Sequence, residues 1–146
     1  MARILTGQIV VQGTDHEDFG SDEHPTDNVR TVGPTIMRSE DGFVDLGMPT
    51  VRWGGECRVE IDWEAKLDAN QNDAIIVHAI TRFFEGASED TGEMEDQQEH
   101  TFPVPKTTST SPPTEFSVSL RNSTVVGAED HAEIFFRLEN RILEEE

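Results

Sequence analysis

The chain has 146 residues, enough for one domain with a real core, and its 34% hydrophobic fraction is low but grouped rather than dispersed. Thirty acidic residues face eleven basic ones, a formal net charge of −19, and Lys66 and Lys106 are the only lysines. Such a field repels nucleic-acid phosphates and anionic membrane surfaces, so neither is an expected partner, and no stretch approaches the roughly 20 apolar residues that membrane insertion as a helix requires.

In chain order, the first strand is predicted from about Ile4 to Val11, where Leu5, Ile9 and Val11 share one side and Thr6 and Gln8 the other. An acidic loop follows over about 14–28, carrying His16, Asp18, Asp22 and His24, which could converge on a metal ion but read more simply as a solvated loop. A second extended stretch spans Val29 to Met37, and Gly33-Pro34 within it suggests an edge position or a bulge. Short strands are predicted at Phe43–Leu46 and Val51–Trp53.

From Cys57 to Lys66 the alternation is strict, with Cys57, Val59, Ile61, Trp63 and Ala65 on one side and charged residues on the other. A helix would scatter those apolar residues, whereas a strand lines them on one face. Asp68 to Asp73 is read as a turn, and Ala74 to Phe84 as a central strand apolar on both faces. About 85–100 is read as a second acidic loop, with Thr101–Val104 a short strand after it. Alternation returns at Glu115–Arg121 and Ala132–Glu139, before a short acidic tail at Glu144–Glu146.

These seven to nine short strands, with no long helical pattern, predict a single all-β domain over 1–146. The expected architecture is a two-sheet antiparallel β-sandwich of Greek-key or jelly-roll type. Val126–Phe136, with its Ala128-Glu129-Asp130-His131-Ala132 portion, resembles the corner leading into strand F of an immunoglobulin variable domain. The departures are Ile134 at the tyrosine place and Phe136 at the cysteine place, which remove the corner hydrogen bond and the disulfide. The resemblance implies a Greek-key sandwich and nothing about function.

Chemistry is sparse. Cys57 is the only cysteine, so an intrachain disulfide and multi-cysteine zinc sites are excluded, and its place on an apolar strand face predicts a buried thiol. The spacing Asp68-x-Asn70-x-Asn72, followed by Asp73, resembles the start of a calcium loop. The sixth and twelfth places hold Asp73 and Ala79 instead of glycine and glutamate, so the helix–loop–helix motif fails. A calcium site from Asp68, Asn70, Asn72 and Asp73, completed by the Glu89–Glu99 segment, is the alternative to an ordinary turn. No Gly-x-Ser-x-Gly elbow or phosphate-binding glycine loop is present, and His78 is expected to be a satisfied core or partner-facing residue. Trp53, Phe84 and Phe135 are the candidate interface aromatics, Trp53 because nothing in the sequence buries it and the phenylalanines because they keep charged company.

The functional expectation is therefore a non-catalytic structural or interaction module that contacts other protein subunits, such as a virion component from a high-salt environment. A calcium-dependent binding or adhesion module is the alternative, and a metal-dependent or carboxylate-based hydrolase the third. Acid excess with few lysines fits high salt, because screening within about 3 Å at molar ionic strength removes most of the self-repulsion.

Overall fold

The computed structural model describes residues 2–14, 24–25, 27–55, 57–85, 93–108, 110–121 and 131–143. Nine strands are present among them: β1 (Ala2–Thr14), β2 (Val29–Arg38), β3 (Val44–Asp45), β4 (Thr50–Trp53), β5 (Cys57–Asp68), β6 (Ala74–Glu85), β7 (Glu93–Val104), β8 (Thr114–Arg121) and β9 (His131–Ile142). They form two antiparallel sheets packed as a β-sandwich. One has the order β2-β1-β9-β8, and the other the order β3-β5-β6-β7 with β4 also paired to β5.

Alternation decides which side of each strand is buried. In β5, residues Cys57, Val59, Ile61, Trp63, Ala65 and Leu67 all turn into the core, while the residues between them turn outward. Leu5, Ile9 and Val11 of β1 and Ala132, Ile134, Phe136 and Leu138 of β9 face them from the opposite sheet. Aromatic rings bridge the layers: Phe116 stacks on Phe102 at 4.2 Å, Phe102 meets Phe136 at 5.4 Å, and Phe136 meets Trp63 at 5.7 Å. Cys57 lies in this core, fully buried.

One end of the sandwich is tied by a buried polar network. Asn140, with no exposed surface, accepts from Arg3 Nε at 2.7 Å through its side-chain oxygen. Its Nδ2 donates to the carbonyls of Asp73 at 2.9 Å and Val104 at 3.0 Å. Its backbone N–H donates to the Thr107 hydroxyl at 2.9 Å. One side chain thus joins β9 to the opposite sheet with its amide groups satisfied, the condition under which a buried polar residue is tolerated.

Three expectations need correction. The segment read as an acidic loop over 85–100 is strand from Glu93 onward, and β7 runs without a break to Val104. Its outer half has no apolar alternation to reveal it; backbone pairing with β6, from Glu85↔Glu93 to Ile75↔Val104, holds it in place through a bulge between Phe83 and Phe84. Secondly, β6 is covered by the opposite sheet on its core face alone. On its other face Ile76 is buried, the Arg58 guanidinium covers Phe84, and Phe43 meets His78 edge-on. Thirdly, Trp53 is not a surface aromatic: it is 3% exposed and stacked on Phe83 at 5.9 Å. The edge placement suggested by Gly33-Pro34 is found, since β2 borders its sheet.

Candidate interaction surface

The four histidines among the described residues, His24, His78, His100 and His131, stand on different parts of the sandwich. His78 is the most engaged. The pairing Glu64↔His78 between β5 and β6 and Ile80↔Glu99 between β6 and β7 places one carboxylate on each side of the ring. Nδ1 lies 3.2 Å from Glu64 Oε1 and Nε2 lies 3.1 Å from Glu99 Oε1. The hydrogen bond to Glu99 raises the His78 pKa above its ordinary value, burial opposes it, and the hydrogen bond to Glu64 adds to the rise. With both nitrogens committed to carboxylates, His78 ties β5, β6 and β7 together across the strands. A hollow of about 300 Å³ beside it is lined by Asp45, Asp62, Glu64, His78 and Ile80.

His24 donates from Nδ1 to the Gly13 carbonyl at 2.8 Å. It shares a cleft of about 340 Å³ with Gln12, Thr14, His131 and Glu133. His16, Asp18 and Asp22, the other members of the candidate metal set, lie outside the described residues.

The calcium candidates separate into two groups. Asp68 accepts from the Asn70 backbone N–H at 2.9 Å and from Gln71 Nε2 at 2.6 Å, which closes the β5–β6 turn. Asn72 and Asp73 instead meet Lys106, whose ammonium lies 3.4 Å from Asn72 Oδ1 and 3.5 Å from Asp73 Oδ2. Both residues have positive φ, 55° each, as the left-handed turn requires. The structure thus brings Asn72 and Asp73 to the Lys106 ammonium, while Asp68 is engaged within its own turn. No group of three or more His, Cys, Asp or Glu side chains among the described residues is arranged to hold a metal ion.

The candidate interface phenylalanines lie on opposite outer faces. Phe84 is roofed by the Arg58 guanidinium, 4.3 Å above its ring, and Arg58 also pairs with Glu60 at 3.1 Å. Phe135 is half-buried on β9, with the Arg137 guanidinium 5.7 Å from its ring centre.

Phe135 belongs to a larger pattern. The register of the four-stranded sheet orders its outward side chains into rows that cross the strands. One row is Val29–Val10–Phe135–Ser117, the next is Thr31–Gln8–Arg137–Glu115, and Ile36–Ile4–Arg141 lies farther along. Val29 is 44% exposed and Ile36 48% exposed. The charged residues of this face are Arg38, Arg121, Arg137 and Arg141 against Glu115, Glu133 and Glu139. On a chain of net charge −19, the described residues of this face set four cations against three acids. The outer face of the five-stranded sheet is more acidic, with Asp45, Glu60, Asp62, Glu64, Asp68 and Glu99 against Arg52, Arg58, Lys66 and Arg82.

No protein-family model matches the chain, and neither a curated protein nor a solved structure matches it.

Charge taken in chain order does not display this face. The cross-strand register is what gathers Arg38, Arg121, Arg137 and Arg141 from three separate strands.

Proposed function

We propose that this chain is a non-catalytic structural subunit that joins other protein subunits through the outer face of its four-stranded sheet, in a high-salt setting. The observation that supports the reading is the composition of that face: apolar rows around Val10, Phe135 and Ile4, framed by near-balanced arginines and glutamates, on an otherwise strongly acidic molecule. Two subunits that approach through their acidic parts repel each other; this face is where repulsion is weakest and apolar burial is available. The non-catalytic part of the proposal draws on how polar groups are used. His78 is tied between two carboxylates, His24 to a carbonyl, and Asp68 and Asp73 to turn and lysine partners.

Light scattering on the full chain in molar potassium chloride tests the reading. An assembly is expected, and Val29→Glu, at an exposed edge position, is expected to weaken it without loss of folding. An assembly indifferent to Val29→Glu and to charge changes on the same face contradicts the choice of surface.

A further inference from the structure

The outward residues of β9 read His131, Glu133, Phe135, Arg137, Glu139 and Arg141, and the residues that flank Phe135, Glu133 and Arg137, are opposite in charge. Two positions before Phe135 stands an acid and two after it a base; four before stands an imidazole and four after a carboxylate. A two-fold contact places a strand against its own copy running the other way, so residue i meets residue j and j meets i. A pattern antisymmetric in charge about one residue is self-complementary under that operation. A symmetric one would set like charges against each other.

Resting on the assembly reading above, we infer that the partner on this face is a second copy of the chain, related by a two-fold axis that lies along the Val29–Val10–Phe135–Ser117 row. In that arrangement Phe135 packs against its own copy, Arg137 faces the partner's Glu133, and Glu139 faces the partner's His131. Arg137 already binds Glu115 at 3.0 Å and Glu139 pairs with Arg141 in the same chain, so the second copy extends existing pairs into a network. Within Val29–Val10–Phe135–Ser117 no residue is charged, so the row that must meet itself carries nothing that repels.

The overlap is modest. Val29 is the first residue of β2, so β2 runs away from its own copy on either side of the axis, and β1, β9 and β8 supply the contact. Three strands about 4.8 Å apart, overlapping over about eight residues at 3.3 Å per residue, present roughly 380 Å². That is about half of the roughly 800 Å² per partner of a standard interface, so the dimer is a weak, concentration-dependent one.

Charge reversal tests the pairing. Glu133→Arg alone and Arg137→Glu alone each set like charges across the axis and are expected to weaken self-association about tenfold or more, measured by sedimentation equilibrium. The double variant E133R/R137E restores opposite signs and is expected to return close to the wild-type value. A second variant guards against misfolding. Ser117 is exposed and lies on the axis row, so Ser117→Cys brings two thiols to about 10 Å, the spacing of stacked sheets, where a short bismaleimide links them. Cys57 is buried and does not compete. Self-association without rescue in the double variant and without the Ser117 cross-link overturns the two-fold arrangement while leaving the assembly reading in place. A wild-type chain that stays monomeric overturns both.

Discussion

Gly13 and Trp53 form a fitted pair across the sandwich. A Cβ on Gly13 would stand 2.5 Å from Trp53 Cζ2, so the indole occupies the space that a side chain would need. This explains why Trp53 is buried although β4 is only four residues long. No local pattern predicts that burial, because the complement that accepts the ring is a glycine on another strand. Gly13→Ala is expected to destabilise the fold by about 1–3 kcal/mol through overpacking, read as a lower urea midpoint. Trp53→Leu combined with Gly13→Ala should recover part of that loss. His78 supplies a second residue-level test. Its folded pKa is raised, with Glu99 as the largest cause, so its favourable contribution is present below the ordinary value of 6.5 and is lost as pH climbs through the raised folded value. Stability is therefore expected to fall as pH rises from about 6.5 into that range, and His78→Gln should remove this part of the slope. An unchanged slope in His78→Gln would exclude the tie as its source.

At the scale of elements, β2 and β8, the two edges of the four-stranded sheet, are guarded against added strands. β2 carries Pro34, which has no N–H to offer an added strand. On the opposite side, β7 and β8 belong to different sheets, yet side chains of β7 cap the β8 backbone: Asp96 accepts from the Arg121 N–H at 3.1 Å and Gln98 donates to the Ser119 carbonyl at 2.6 Å. Asp96→Ala is expected to leave the fold intact and to speed hydrogen exchange at the Arg121 amide, with little change at core amides of β5. Equal rates in both proteins would mean that the cap contributes nothing. Strands β5, β8 and β9 were legible because one face of each is apolar at every second position. β7 was not, because Glu95, Asp96, Gln97, Gln98 and Glu99 give no alternation, and pairing to β6 alone makes that stretch a strand. The turn at Asp68–Asp73 was legible as a turn from its Asp and Asn content, while the Lys106 contact comes from a residue far along the chain.

For the whole molecule, the placement of charge joins stability to function. Among the described residues, the outward rows of the two sheets set eight cations against nine acids, so these rows are close to neutral while the molecule is not. The net charge was plain in the sequence; the near-balance on the sheet faces was not, since that depends on register. Unscreened repulsion reaches about 30 Å at 0.01 M salt and about 3 Å at 1 M. The chain is expected to lose cooperative structure as potassium chloride falls to low millimolar, followed by circular dichroism, and cooperative folding retained there would detach the acidity from high salt. The same screening should govern assembly, because copies meet only when their acidic parts are shielded. The most direct measurement is the mass of the full chain in molar potassium chloride across a concentration series, by sedimentation equilibrium. The account predicts a mass that rises from the 16.3 kDa of one chain to a multiple of it as concentration increases. A mass fixed at one chain throughout the series would contradict it.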